Sequence, residues 1–456
     1  MNAVLVYVSG VFHLFYQHNP HADMPGNLSW GHATSPDLIH WTEHPVALPA
    51  RESHVIYSGS VVTDGHNTSG LKSGEQPPLV ALYTGHTDRH PARQHLDKQH
   101  HEAQYLAYSA DGGHTWQYGG ETAVLDLDKA DFRDPKVFWD GQRSRWVMLV
   151  VHPDERQVEF YSSPNLQVWK PLSTFGPAGQ VEGIWEMPEF FALPDPQGVD
   201  RWVLKVDFNP GGLYGGSGAQ YWVGDFDGTT FTPLTSSQTL DFGPDFYAAL
   251  SWSDLPGRRV WLAWMNNWAY AAMIPTAPWR GTFTVPRELS LGPELQLIQR
   301  PVKELEALRE ASVPILPPQD QKMYPLSVTH AHELRLQVET HGGAELHLEF
   351  LSAEGVEAQV TLSASEVSVT RPDAHLEVPG FGGTHRAPRR DGQPQYDMHL
   401  LLDLGSLELF GCNGQISLTD LLLPAAPIET LRISAHTGAS VISGQLYQLR
   451  SIWERK

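Results

Sequence analysis

The segment MNAVLVYVSGVFHLFYQHNP, residues 1–20, predicts a β-hairpin at the start of the chain. Its apolar residues fall at every second position on either side of Gly10. These alternating residues are Val4, Val6, Val8, Phe12, Leu14 and Tyr16. Alternation with a period of two is typical of a strand, and a glycine between two such runs favours a turn. The sequence therefore predicts that the printed chain begins inside a sheet.

Short runs of the same kind recur up to about residue 300, separated by Gly, Pro, Asn and Asp. They include VFHLFYQ (11–17), LVALYTG (79–85), QYLAYSADGGHTW (104–116), KVFWDGQRSRWVMLV (136–150), RWVLKVDFN (201–209) and RRVWLAWMN (258–266). Patterns with a helical period are almost lacking in this part of the chain. Repeated small sheets joined by tight turns favour a propeller, because radial closure leaves only short strand edges exposed. No strict repeat length accompanies the pattern, so the runs by themselves indicate a mostly-β domain.

The composition fits a large β-rich protein and argues against two classes of partner. A chain of 456 residues with 41% hydrophobic content can bury a large core and favours more than one domain. Its 52 acidic and 31 basic residues give a formal charge of -21, which repels phosphate backbones and anionic membrane surfaces. We therefore predict no nucleic-acid partner and no membrane partner.

The sequence shows neither a disulfide framework nor a targeting segment. Cys412 is the only cysteine, and no run of 18 apolar residues occurs. The first basic residue is Arg51, so the positive start of a signal peptide is absent. The sequence as printed predicts a cytoplasmic location, and secretion would follow if an N-terminal segment had been lost.

The character of the sequence changes near residue 300. The stretch RPVKELEALREAS (300–312) places apolar residues on one helical face, and the Pro-rich VPILPPQ (313–319) interrupts it. Beyond it, LRLQVET (334–340) and LHLEFLS (346–352) alternate with a period of two. We predict an all-β protein in three parts. They are a propeller over residues 1–300, a linker with a short helix over 301–317, and a β-sandwich over 318–456.

The stretch HTDRHPARQHLDKQHHEAQ (86–104) contains five histidines, which raises the question of a metal site. Their spacing matches no compact set of metal ligands. We interpret the stretch as a polar loop and predict no metal.

Two carboxylates stand out by their surroundings. Asp134 in DFRDPKVFW (131–139) and Glu186 in GIWEMPEFF (183–191) each precede an apolar strand. They could be an ordinary turn aspartate and strand-edge glutamate, but at the entry of innermost propeller strands both would face the central funnel. Two such groups suit glycoside hydrolysis, in which one acid protonates the leaving oxygen and a second carboxylate attacks or activates water. Arg133 could anchor a sugar hydroxyl or hold Asp134 ionised.

Eight motifs, in this order along the chain, give it a clear resemblance to a known family. They are HLFYQHNP (13–20), WGHATSPDLIHW (30–41), YSGSVV (57–62), FRDPKVF (132–138), WEMPEFF (185–191), DFYAA (245–249), WMNNW (264–268) and PWRGTFTVPREL (278–289). The chain resembles glycoside hydrolase family 32, the invertase, inulinase and levanase group, over nearly its whole length. The resemblance implies a five-bladed β-propeller followed by a β-sandwich. It also implies release of terminal β-D-fructofuranosyl units from sucrose or fructans with retention, without a cofactor.

The resemblance also implies roles for individual residues. Glu186 would be the general acid and base, and Asp134 would stabilise the transition state by binding fructose hydroxyls, with Arg133 beside it. Further positions match the fructose pocket or its surroundings, although core or turn roles stay open for them. These substrate-binding candidates are Gln17, Tyr57, Ser58, Asp245, Tyr247 and Trp264.

The chain departs from the family pattern where the nucleophile is expected. In the family this aspartate belongs to a Trp-Met-Asn-Asp-Pro-Asn-Gly motif just before the strand that matches Leu5, Val6 and Tyr7. Counting back without gaps places Met1 at the aspartate, so we expect little or no hydrolysis from the sequence as printed. Either a preceding segment is missing from the sequence, or the protein is a non-catalytic fructan- or sucrose-binding relative.

Two further departures concern the pocket. Met187 stands where the family has Cys, which changes packing beside Glu186 without removing a proton-transfer group. Pro25 stands where a Trp commonly walls the fructose pocket, and loss of such a contact costs about 0.5–1.5 kcal/mol. The sequence does not distinguish hydrolysis from transfer of the fructosyl group to another sugar.

Overall fold

The structure is a computed structural model that describes residues 3–24, 26–317, 321–373, 378–389, 394–436 and 438–453. It is an all-β protein with a five-bladed propeller and a β-sandwich. The hairpin predicted at the start is confirmed, with Ala3 paired to Tyr16 and Val8 to Val11. Its turn uses Ser9 (φ 49°) and Gly10 (φ 90°). Val4, Val6, Phe12 and Leu14 are buried and Val8 and Tyr16 partly buried, because both faces of this innermost hairpin pack in apolar clusters.

Five antiparallel sheets follow one another along the chain and form blades 1 to 5. Blade 1 contains β1 (Ala3–Val8), β2 (Val11–His18), β3 (Ser29–Ser35) and β4 (Thr42–Leu48). Blade 2 contains β5 (Val55–Thr63), β6 (Leu79–Thr87), β7 (His101–Ser109), β8 (Gln117–Tyr118) and β9 (Leu125–Lys129). Blade 3 contains β10 (Arg133–Asp140), β11 (Arg145–His152), β12 (Gln157–Ser163) and β13 (Lys170–Phe175).

Blades 4 and 5 complete the propeller. Blade 4 contains β14 (Ile184–Pro194), β15 (Asp200–Asn209), β16 (Gly218–Phe226), β17 (Phe231–Pro233) and β18 (Gln238–Thr239). Blade 5 contains β19 (Tyr247–Ser251), β20 (Arg259–Met265), β21 (Thr282–Phe283), β22 (Arg287–Leu291) and β23 (Leu297–Pro301). The first strands of successive blades contact one another, and β19 contacts β1, so the innermost strands form a closed ring.

Two six-stranded antiparallel sheets form the sandwich. The first has the order β24 (Arg309–Pro314), β35 (Ala439–Leu449), β26 (Ala331–Thr340), β31 (Gln395–Asp403), β32 (Ser406–Gly411) and β33 (Ile416–Leu421). The second has the order β25 (Gln321–Pro325), β34 (Thr430–Ala435), β27 (Leu346–Ser352), β28 (Gly355–Leu362), β29 (Glu366–Arg371) and β30 (Gly383–Pro388). Alternate residues such as Leu346, Leu348 and Phe350 fill the space between the sheets, and each buried side chain of this size stabilises the fold by about 1.5–3 kcal/mol.

Helical structure within the described residues is limited to four 3₁₀ segments. They are Pro91–Arg93, Ala271–Met273, Lys303–Leu308 and Cys412–Gly414. The predicted linker, residues 301–317, contains the third of these and then β24, which pairs with β35. Because β24 is a largely exposed edge strand, its sequence carries little apolar alternation to reveal it. None of the helical segments in the described ranges is long and apolar enough to cross a membrane.

Buried ion pairs join the propeller to the sandwich. Arg287 of blade 5 is fully buried, and its Nη2 donates to Glu408 Oε2 of β32 over 2.7 Å. Its Nη1 donates to Asp241 Oδ2 over 3.0 Å. Removing one member of such a buried pair costs about 3–5 kcal/mol, because the other charge is left uncompensated. The two domains are therefore held in one orientation by charge as well as by apolar contact.

Candidate active site

A β-bulge interrupts the innermost strand of blades 2 to 5 near its beginning. The register shifts lie between Ile56 and Gly59, Arg133 and Lys136, Glu186 and Glu189, and Tyr247 and Leu250. A bulge adds a residue to one strand, bends it and re-aims its side chains. The repeated bulges therefore direct side chains of several blades toward one place.

In blades 3, 4 and 5 the residue that opens the bulge has a positive φ: Asp134 (64°), Met187 (52°) and Ala248 (57°). The backbone N–H of each donates to a side chain of the preceding blade. The acceptors are Thr84 Oγ1 at 2.9 Å, Asp134 Oδ2 at 2.8 Å and Asp207 Oδ2 at 2.8 Å, respectively. These bonds offset the cost of a left-handed backbone in non-glycine residues. They also link each blade to the next at the level of the bulges.

The residues just before these positions meet at one carboxylate. Arg133, Glu186 and Tyr247 occupy equivalent register positions on three successive blades. Arg133 Nε donates to Glu186 Oε1 over 3.1 Å, and the Tyr247 hydroxyl donates to Oε2 over 2.5 Å. The side chain of Glu186 keeps 20% of its surface exposed. Glu186 is therefore fixed at both oxygens and still reachable from solvent.

Asp134 lies beside Glu186, since its carboxylate accepts the N–H of Met187, the next residue after Glu186. Burial, and then the negative charge of Glu186, raise the pKa of Asp134 to about 7. The positive charge of Arg133 acts in the opposite direction and is outweighed. Arg133 thus acts on Asp134 through its charge, in the direction expected from the sequence, while its hydrogen bonds go to other carboxylates.

Arg133 is shared among three carboxylates. Besides Glu186, its Nη1 donates to Glu102 at 3.0 and 3.1 Å and to Asp131 at 3.0 Å. Burial lowers the pKa of Arg133, but the charges of Glu102, Glu186 and Asp134 outweigh this and raise it well above its usual value. The guanidinium is therefore charged at any working pH.

Sequence reasoning missed Glu102, because it falls in the His-rich stretch interpreted as a polar loop. The ends of that stretch belong to β6 and β7, and only the residues between these strands form the loop. The available signal was Glu102 and Gln104 alternating with apolar residues at the start of QYLAYS. Among the described residues, which include this whole stretch, no group of three or more His, Cys, Asp or Glu side chains could hold a metal ion.

The pocket candidates of blades 1 and 2 lie together. Gln17 Nε2 donates to Ser58 Oγ over 3.2 Å, and Ser58 belongs to the blade 2 bulge. The ring of the adjacent Tyr57 stacks on His86, with centroids 4.4 Å apart and planes 7° from parallel. Burial raises the pKa of Tyr57 to about 12, with smaller contributions from charges that include Glu102. Tyr57 therefore belongs to the same charged centre.

Trp264 lies beside the centre through its strand partner. It pairs with Tyr247 across β19 and β20, and the two rings meet edge to face with centroids 6.2 Å apart. Trp264 is buried and also contacts Trp268, whose side chain is exposed. Trp264 therefore packs against Tyr247, while Trp268 is exposed to solvent.

Asp245, one of the pocket candidates, is bound by the sandwich and so has the core role that the sequence left open for it. It is fully buried, and Oδ2 accepts from Arg371 Nη1 of the sandwich at 2.6 Å and from the N–H of Leu421 at 2.8 Å. Tyr270 also donates to it. The motif DFYAA places Tyr247 at the centre, but its sequence cannot show that a sandwich arginine engages the aspartate two residues earlier.

A buried ion pair behind Glu186 was also missed. Lys205 Nζ donates to Asp207 Oδ2 over 2.6 Å and to the carbonyl of Met187 over 3.0 Å, and Asp207 accepts the N–H of Ala248. The pair thus holds the bulges that carry Glu186 and Tyr247. Two positions discussed from sequence, Met1 and Pro25, lie outside the described residues.

Comparisons with known proteins agree with this geometry. Residues 2–301 match the model for the glycosyl hydrolases family 32 N-terminal domain, and residues 304–448 match that for the family 32 C terminal domain. A levanase of Bacillus subtilis is 37% identical over 98% of this chain and 68% of its own length. An extracellular exo-inulinase of Aspergillus awamori is 33% identical over 98% of this chain and 92% of its own length.

Solved structures show the same architecture. The crystal structure of exo-inulinase from Aspergillus awamori superposes with a TM-score of 0.91 at 31% identity, covering 99% of this chain and 96% of that one. A β-fructofuranosidase from Schwanniomyces occidentalis, complexed with fructosyl-erythritol, superposes with a TM-score of 0.89 at 27% identity. That comparison covers 99% of this chain and 95% of the other. The similarity therefore extends over both domains.

Proposed function

The chain belongs to glycosyl hydrolase family 32 and is by family a β-fructofuranosidase-type hydrolase, and we propose that it releases terminal β-D-fructofuranosyl units from sucrose or fructans. One observation supports this most strongly. Glu186 is held at both carboxylate oxygens by Arg133 and Tyr247, with the carboxyl group of Asp134 bonded to the next backbone N–H. In such an arrangement Glu186 can supply the acid that glycoside cleavage requires, and Asp134 lies close enough to bind the same sugar.

In the proposed reaction Glu186 is the general acid and base. Its protonated carboxyl gives a proton to the glycosidic oxygen as the bond to the fructosyl carbon breaks. The nucleophile that a retaining reaction requires bonds to that carbon in the same step, and the leaving sugar departs neutral. In the second half of a retaining reaction the resulting carboxylate of Glu186 takes a proton from water as that water attacks the fructosyl carbon and displaces the nucleophile. Arg133 and Tyr247 keep the two oxygens in place during both steps.

Asp134 is proposed to bind the fructosyl unit. In its ionised form it accepts hydrogen bonds from two neighbouring hydroxyls, and these strengthen as positive charge develops on the ring. The position that the family resemblance gives to the nucleophile, at Met1 in the printed numbering, lies outside the described residues. Retention and rate are therefore parts of the proposal that the assay decides.

The assay uses the 456-residue chain with sucrose, inulin and levan, and maltose as a control disaccharide without a fructosyl unit. Chromatography measures released fructose, and NMR of the first product molecules shows whether the β configuration is retained. We expect at most slow release of fructose from one or more of the three substrates, since Met1 stands at the family's nucleophile position in the printed sequence, and none from maltose. Saturable sugar binding without release would instead support the alternative function, a fructan- or sucrose-binding protein. The absence of both fructose release and sugar binding would overturn the proposal.

A second product would reveal transfer of the fructosyl group. Water and a sugar hydroxyl can attack the same fructosyl carbon, and the residues described above do not select between them. Oligosaccharides longer than the substrate, appearing at high sucrose concentration, would identify transfer. Fructose and glucose in equal amounts at every sucrose concentration would identify hydrolysis.

A further inference from the structure

Glu102 is a buried carboxylate that touches two separate parts of the proposed site. It lies on β7 with 1% of its side chain exposed. Its oxygens accept Arg133 Nη1 at 3.0 and 3.1 Å and the N–H of Phe132 at 2.8 Å. His86 Nδ1 lies 3.0 Å from Oε1. A carboxylate is costly to bury unless its oxygens are satisfied, and here all of these partners satisfy it.

Through these partners Glu102 is connected to both Glu186 and Tyr57. Arg133 also donates a hydrogen bond to Glu186, as described above. His86 is stacked face to face on Tyr57, which lies within the blade 2 bulge between Ile56 and Gly59. The second ring nitrogen of His86 lies 3.1 Å from Asp88, a highly exposed carboxylate. Glu102 therefore fixes the guanidinium directly and the Tyr57 ring through His86.

We propose that Glu102 is a positioning residue of the fructosyl site. It holds Arg133 directly, and Tyr57 through His86, in position for the sugar, and it is a second counter-charge for Arg133 beside Glu186. The inference rests on the proposed function and adds a residue to which no role has been assigned. Glu102 does not contact the substrate, because its side chain is enclosed behind Arg133 and His86.

The charges around Arg133 predict the direction in which the pKa of Asp134 changes when Glu102 is replaced. Glu102, Asp131 and Glu186 bond to the guanidinium, and Asp134 feels its charge. Among the influences on the pKa of Asp134, Glu186 and Glu102 raise it, while Arg133 lowers it. Replacing Glu102 by glutamine removes one negative charge and leaves Arg133 less neutralised. Both changes favour the ionised form of Asp134, so its pKa must fall.

The test is a carboxyl-carbon NMR titration of the full chain labelled at aspartate, with Asp134→Asn used to identify the resonance. In Glu102→Gln we expect the titration midpoint of Asp134 to fall measurably below that of the parent. The matched control is Glu333→Gln in the sandwich, because Glu333 is likewise buried between an arginine and a histidine. Arg309 Nε donates to it at 2.6 Å, and His399 Nε2 lies 2.8 Å away. The control should leave the Asp134 midpoint unchanged.

A second variant and a second measurement separate the effect of where the carboxylate lies from the effect of its negative charge. Glu102→Asp keeps the negative charge but draws the carboxylate back, so it should leave the Asp134 midpoint near 7 while the KM for sucrose rises at least 5-fold. The same rise is expected in Glu102→Gln, with kcat reduced less than KM is raised. Glu333→Gln should change neither constant. The Glu102→Asp variant also serves if Glu102→Gln does not fold, since it leaves no buried charge uncompensated.

The outcomes separate this inference from the proposed function. A lower Asp134 midpoint in Glu102→Gln, together with raised KM in both Glu102 variants, supports it. An unchanged or higher midpoint, or unchanged KM values, would overturn it. If the parent chain releases no fructose, the proposed hydrolysis fails, and the dissociation constant for fructose then replaces KM as the measure of position. If the parent neither cleaves nor binds these sugars, the fructosyl-site role of Glu102 fails with the proposed function, whatever the titration shows.

Discussion

Arg133 Nε donates a hydrogen bond to Glu186 Oε1 over 3.1 Å, and the two residues occupy equivalent positions on the innermost strands of neighbouring blades. The bulge that follows each of them is what allows the two side chains to meet. Tyr247 repeats the position on the next blade and reaches the other oxygen of Glu186. The site is thus built by one local backbone feature used three times around the ring.

The Tyr247 hydroxyl should matter for catalysis more than for folding. In Tyr247→Phe we expect kcat/KM for fructose release to fall about 10- to 100-fold, because a hydrogen bond to a charged group is worth about 1.5–3 kcal/mol. Steady-state kinetics on sucrose would measure it. Tyr161→Phe is the matched control, since Tyr161 also donates to a glutamate, Glu159, away from the site. Equal losses in both variants would contradict a special role for Tyr247.

The buried carboxyl group of Asp134 should lower the free energy of unfolding of the parent chain at neutral pH. Its pKa of about 7 in the folded chain lies above the ordinary value of 3.8, so its contribution to stability is lost as the pH rises from about 4 to 7. In Asp134→Asn we expect the free energy of unfolding at pH 8 to rise by about 2–4 kcal/mol relative to the parent, and to rise far less at pH 4. Urea unfolding at both pH values measures this. A variant destabilised equally at both would refute the raised pKa.

Two stacked histidines of blade 1 should limit stability in acid. His13 Nδ1 lies 3.1 Å from His32 Nε2, and both side chains are buried. Burial, with neighbouring histidines second, lowers the pKa of His13 to about 4 and that of His32 to about 3. Because the unfolded chain takes up these protons near pH 6.5, stability present above that pH is lost as the pH falls toward 4.

The variant His32→Gln tests this acid sensitivity. Between pH 7 and pH 4 the free energy of unfolding should fall in both proteins. The fall in His32→Gln should be about 2–4 kcal/mol smaller than the fall in the parent. His95→Gln, an exposed loop histidine, should follow the parent. Identical pH dependence in all three proteins would show that these histidines do not govern the loss.

Asp245 should behave as a structural residue rather than a sugar ligand. In Asp245→Asn the buried guanidinium of Arg371 loses its counter-charge, and we expect the free energy of unfolding to fall by about 3–5 kcal/mol. At a temperature where the variant is folded, its KM for sucrose should equal that of the parent. A raised KM with unchanged stability would restore the sequence-based interpretation.

Much of the fold followed from the sequence because its signal is local. Period-two alternation and turn residues identified the hairpin at Val4 to Tyr16, and the ordered motifs identified the family and so the number of blades. Strand β24 was not found, since an exposed edge strand needs little apolar alternation.

The site was predictable only in part for a different reason. Asp134 and Glu186 stood out because each follows an unusual neighbour at the start of an apolar strand. Which side chains meet them depends on bulges and on contacts between distant blades. Glu102 lies 31 positions from Arg133, and Asp245 lies 126 positions from Arg371, so no local pattern could pair them.

The central claim is that Asp134 and Glu186 act on one sugar. It is tested most directly by fructose release from sucrose by the parent, Asp134→Asn, Glu186→Gln and the double variant, all shown to be folded. We expect each single variant to lose at least 100-fold in kcat/KM, and the double variant to be little slower than the slower single variant, because residues acting as a unit are not additive. Parent-level activity in either single variant, or losses that multiply in the double variant, would contradict the claim.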